Sequence, residues 1–143
     1  MLRKPVLAIV CCAFFLLTCC AGVADETMAG PGTFPARGTV EFRTASGSEA
    51  ESYQLGDTVY LYMKGNVASH TMGQRFVCEV TDSRGSTQYE VTIYDIFFER
   101  TDTFVIDSWD PTGQWKATLT YYDIDTPPKG VKMDTDKVDV VEP

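Results

Sequence analysis

The chain has 143 residues, with 12 Lys and Arg against 20 Asp and Glu and a formal net charge of −8. That length holds one ordinary domain and a short leader. The acidic balance, with basic residues scattered as Arg37, Arg43, Lys64, Arg75, Arg84, Arg100 and Lys116 rather than gathered into a stripe, excludes a surface built to hold nucleic acid or anionic lipid.

At the N-terminus Arg3 and Lys4 precede an uncharged run, Pro5 to Ala24, that ends in the small residues Gly22-Val23-Ala24. A charged start, an apolar middle and a small-residue end form an export signal, with cleavage expected after Ala24. Two other fates share this segment. An uncleaved anchor is long enough to span a bilayer, and Leu16-Leu17-Thr18-Cys19 is similar to a bacterial lipoprotein signal with Cys19 lipidated, departing from it at Thr18. Membrane association is expected only by one of those two routes. The expected location is therefore secreted, extracellular or in the cell envelope. Removing 24 residues from 143 leaves 119, and losing Arg3 and Lys4 leaves ten basic against 20 acidic side chains. Four of the five cysteines go with the signal, so the domain is expected to fold without an internal disulfide and to be a monomer.

Residues 25–35, with Gly30-Pro31-Gly32 and Pro35, read as a flexible leader. From Ala36 onward, runs rich in Val, Ile, Thr, Tyr and Phe alternate in polarity between Gly, Pro and Asp clusters, and no sustained helical period occurs. Gly38 to Thr44 is the first strand, with Val40 and Phe42 on one face. Its partner is expected after Ala45-Ser46-Gly47-Ser48. Thr58 to Met63 is apolar on both faces and should be central. Lys64 to Gln74 is a long loop.

Arg75 to Thr81 ends at Asp82-Ser83-Arg84-Gly85, where Asp first and Gly fourth mark a type I turn closing a hairpin onto Ser86 to Ile96. Asp110-Pro111-Thr112-Gly113 repeats that chemistry and predicts a second hairpin, Thr103 to Trp109 with Gln114 to Tyr122. A polar return follows Pro127-Pro128, and Val138, Val140 and Val141 offer a closing strand, with a disordered tail as the alternative. Cys78 alternates with Phe76 and Val80 and should be buried as a small hydrophobe.

Seven or eight such strands in antiparallel hairpins predict an all-β, immunoglobulin-like two-sheet sandwich over residues 36–142. Leu55-Gly56-Asp57-Thr58-Val59-Tyr60, Val80-Thr81-Asp82-Ser83-Arg84-Gly85, Gly113-Gln114-Trp115-Lys116-Ala117 and Val138-Asp139-Val140-Val141-Glu142 carry a more specific likeness. In these segments the chain resembles the immunoglobulin-like and macroglobulin-like modules of secreted prokaryotic proteins. The resemblance implies the fold. The cysteine pair of antibody domains is missing, and a single module carries over no thioester trap.

The chemistry available is limited. The one histidine, His70, lies in a Gly-bearing loop with neighbours Ser69 and Thr71, which is too little for a Ser-His-Asp hydrolase or a zinc site. No Gly-rich phosphate loop follows a strand. An enzyme would have to join acids such as Glu99, Asp107 and Asp110, and the expectation is that the chain is not one. Calcium is the small-ligand alternative, with Asp123, Asp125, Asp134 and Asp136 as candidate ligands and Asp139 nearby. Tyr60, Tyr62, Tyr94, Trp109 and Tyr122 fall outside the expected core and are candidates for contact with a protein partner or a cell-surface glycan. The function expected is that of a non-catalytic binding module; the alternative is a carbohydrate-binding or calcium-stabilised extracellular module.

Overall fold

A computed structural model describes residues 36–68, 72–123 and 130–143. The export segment, the leader, His70 and Asp125 lie outside the described residues. Among the described residues every element is a strand: β1 (Ala36–Arg43), β2 (Ser52–Gln54), β3 (Thr58–Val67), β4 (Arg75–Thr81), β5 (Thr87–Ile93), β6 (Phe97–Val105), β7 (Gly113–Tyr122) and β8 (Gly130–Val141). They form two sheets, β1-β3-β6 and β2-β8-β7-β4-β5.

The period-two pattern decides which side of each strand is dry. Val59, Leu61 and Met63 of β3 are fully buried, as are Phe76, Cys78 and Val80 of β4 and Trp115, Ala117 and Leu119 of β7. These rows meet between the sheets with Val40 and Phe42 of β1 and Val138 and Val140 of β8. Each large side chain taken fully out of water here stabilises the fold by about 1.5–3 kcal/mol. Phe76 stands at the centre of an aromatic cluster, its ring 5.1 Å from Phe98 and 5.2 Å from Tyr121. Gly65 makes room for that cluster, because a methyl group on it would run into the Phe98 ring.

The Asp82 turn is built as its sequence predicts. Asp82 Oδ1 accepts from the backbone N–H of Arg84 at 2.8 Å and of Ser86 at 3.0 Å, Gly85 takes φ 84°, and β4 pairs antiparallel with β5. β3 is the middle strand of its sheet, and Cys78 is buried.

Three expectations are corrected. Asp110 to Gly113 does not close a hairpin: β6 pairs with β3, whereas β7 pairs with β4 and β8, so this turn carries the chain from one sheet to the other. The cause lies just before it. Ile106 is buried, its N–H bonds to the Asp57 carbonyl at 3.0 Å and its carbonyl accepts from Gly56 at 2.7 Å, which fastens the end of β6 beside β3. Strand β1 pairs with β3, not with the segment after Ser48. After a single bridge from Arg43 to Glu49, the chain crosses and β2 runs parallel to β8. The polar return is strand too, since β8 begins at Gly130 and pairs with β7 along its length.

Candidate functional site

Register fixes the two ends of the body. At one end lie the start of β1, the end of β3, the start of β4, the link from β5 to β6 and the end of β7, because Ala36 faces Val67, Asn66 faces Phe97, Phe76 faces Ile93 and Arg75 faces Tyr122. That end carries four large exposed apolar side chains: Met72 (89% exposed), Tyr94 (64%), Phe97 (62%) and Ile96 (39%). Ile93 and Phe98 both point into the core, so the four residues between them must turn outward while the chain changes sheets. The Ile96 carbonyl accepts from Val67 N–H at 2.8 Å and holds the link against β3. Large apolar side chains exposed at one end of a rigid scaffold are a form in which binding sites occur.

The five aromatic residues singled out from the sequence are dispersed. Tyr94 alone belongs to the apolar end. Trp109, 78% exposed, sits in the β6–β7 link at the opposite end. Tyr60 and Tyr62 lie on the outer face of the three-stranded sheet, and Tyr122 lies on the outer face of the five-stranded sheet, on the other side of the molecule. Tyr62 is engaged locally: the Arg43 guanidinium lies 3.5 Å over its ring and its hydroxyl donates to Glu99 at 2.8 Å. That bond raises the Tyr62 pKa, and the same hydroxyl together with the Lys64 ammonium holds Glu99 below the usual carboxylate range. The Tyr122 ring is covered by Arg75 at 4.9 Å. Three charge-dressed or isolated positions and one loop tip make no flat strip for a sugar.

The acids are equally separated. Asp134 Oδ2 accepts from Val40 N–H at 2.9 Å and Asp136 Oδ2 accepts from Phe42 N–H at 2.7 Å. These carboxylates take the place of a neighbouring strand along the free edge of β1. Asp123 stands beside Gln74 past the end of β7. Leu119 faces Asp134, which puts Asp123 about 14 Å farther along the sheet at 3.4 Å per residue. Among the described residues no three His, Cys, Asp or Glu gather into a group able to hold a metal ion. Glu99 lies on the outer face of β6 near its start, whereas Asp107 and Asp110 form a turn beyond its end, where Asp107 N–H donates to Asp110 Oδ2 at 2.8 Å. The three acids do not face one cleft.

Sequence reasoning missed Met72, Ile96 and Phe97. The legible signal was Tyr94-Asp95-Ile96-Phe97-Phe98, four large apolar residues in five, which no strand of period two can turn to one side. Comparison with protein-family models and with curated proteins returns no match for this chain.

Proposed function

We propose that the chain is an exported, non-catalytic binding module of immunoglobulin-like build, and that its apolar end, Met72, Tyr94, Ile96 and Phe97, meets a protein partner. The strand order supports the immunoglobulin-like reading. β1-β3-β6 against β8-β7-β4-β5 corresponds to strands A, B and E facing G, F, C and C′ of that architecture. Trp115 supports it as well: at the start of the strand corresponding to F, its indole N–H donates to the Pro111 carbonyl at 2.9 Å, similar to the tyrosine that ties the same corner in immunoglobulin domains. The observation that carries the binding reading is the exposure of four large apolar side chains at one end of the scaffold, against three, Val105, Trp109 and Val141, at the other.

The test is capture from the envelope of the exporting cell. The exported chain and a Met72→Ser, Tyr94→Ser, Phe97→Ser variant are each immobilised, with calcium and with chelator. The expected outcome is a protein retained by the first and not the second, in either buffer. Equal retention by both chains, or no retention by the unaltered chain, overturns the reading.

A further inference from the structure

The outer faces of the two sheets treat their charges differently. On the three-stranded sheet most of the outer charges are neutralised within the chain, through Arg43 with Glu41 at 2.7 Å and Lys64 with Glu99 at 3.3 Å, which leaves Arg37 at the start of β1. On the five-stranded sheet like charges stand directly opposite one another. Glu79 of β4 faces Glu90 of β5, and Lys116 of β7 faces Lys137 of β8. Lys132 of β8 lies on the same basic half, opposite Thr120. Directly opposed like charges work against a sheet. None of these five side chains takes part in an ion pair of the described residues, the other ion pairs there being Arg84 with Asp82 and Arg100 with Asp102. Glu90 and the three lysines are exposed, and Glu79 is half-buried with only a hydroxyl, that of Thr87, donating to it at 2.5 Å.

In its middle the face is thus acidic across β4 and β5, basic across β7 and β8, and neutral between them at Thr118 and Val77, with Arg75, stacked on Tyr122, at the start of β4 and Asp139 near the end of β8. We propose that it docks a second copy of this chain, face to face, about a two-fold axis running along the strands between β7 and β4. That operation lays β4 and β5 of one copy over β7 and β8 of the other. Glu90 then stands over Thr135 of the second copy, flanked by Lys132 and Lys137, and Glu79 stands over Thr118 beside Lys116. Each of those five charges thereby comes beside one of opposite sign. This goes beyond the monomer expected from the sequence. It is independent of the apolar end, which the dimer leaves free on both copies and pointing the same way.

Four strands by seven residues span about 19 Å by 24 Å, at the small end of specific interfaces. The dimer is therefore weak, reversible and sensitive to salt, which screens such pairs. Sedimentation equilibrium of the exported chain tests it. The weight-average mass should climb from that of one chain toward twice that value between about 0.01 and 1 mM chain in low salt, and the rise should vanish in about 0.5 M salt. A chain with Glu79→Lys and Glu90→Lys, and another with Lys116→Glu, Lys132→Glu and Lys137→Glu, should each associate at least about tenfold more weakly alone. Mixed in equal amounts, they should form a one-to-one complex, which also shows that both are folded. Three outcomes overturn the proposal: the unaltered chain stays a monomer throughout, the reversed chains associate as it does, or their mixture fails to pair.

Discussion

Asp82 shows how one side chain builds a turn and makes it sensitive to acid. Burial pushes its carboxyl up, but hydrogen bonds from the Ser86 backbone, the Gln88 amide and the Arg84 backbone, with the Arg84 charge, outweigh burial and hold it below the ordinary carboxylate range. A carboxyl whose pKa is lowered by folding stabilises the fold above its unfolded pKa of about 3.9, and that contribution is lost as pH falls through the folded value. Asp82→Ala should cost about 1.5 kcal/mol at pH 7, the lower end for hydrogen bonds to a charged group because the turn lies at a solvent-screened rim. In thermal melts the gap between the two proteins should be widest above about pH 5 and should close toward pH 2. At Gly65 the constraint is steric. Gly65→Ala drives a methyl into the Phe98 ring, with Phe76 3.1 Å behind it, and should cost about 1–3 kcal/mol by overpacking. Adding Phe98→Leu should recover part of the loss in urea denaturation midpoints.

At the scale of elements, the unusual feature is how β1 is finished. Its inner edge pairs with β3 by backbone, and its outer edge is met by two carboxylates spaced at the same period of two as the N–H groups they accept from. Replacing both Asp134 and Asp136 with Ala leaves two covered N–H groups without acceptors, a loss of about 1–3 kcal/mol for each. Amide exchange at Val40 and Phe42 should accelerate well beyond that at Val77 or Thr118, measured by NMR in the same sample. The strands themselves were legible, because alternation such as Trp115, Ala117, Leu119 and Tyr121 has one reading, and so was the Asp82 hairpin. Partner choice was not. Asp82 to Gly85 and Asp110 to Gly113 share Asp first and Gly fourth, yet one closes a hairpin and the other crosses between sheets. The difference is set by Ile106, which packs and bonds against the turn before β3, about fifty residues earlier in the chain. The structural part of Asp134 and Asp136 was hidden for the same reason, since the donors they meet belong to β1, 94 residues away. Of the apolar end the sequence reading took only Tyr94, although the run Tyr94 to Phe98 carried a signal; Met72 depends on where the core stops.

For the molecule as a whole, the described residues contain no disulfide, and packing alone joins the two sheets. Cys78 is the sole cysteine beyond residue 24, and burial pushes its thiol up to about 12, so the reactive thiolate is scarce at neutral pH. The melting temperature should be the same with and without reductant, and iodoacetamide at pH 8 should label the protein only after denaturant is added. A mass shift in the native state would show that the two sheets part more readily than their packing implies. The placement of β1 has a mechanical consequence. β1 and β8 run side by side in one direction, one entered at Ala36 and the other left at Val141, at opposite ends of the body. A pull between the two termini therefore slides the strands lengthwise, and the rungs of the β1–β3 ladder and both carboxylate contacts must yield together instead of peeling one by one. A domain tethered at its front and tugged from its tail would resist as a clasp does, not as a zip.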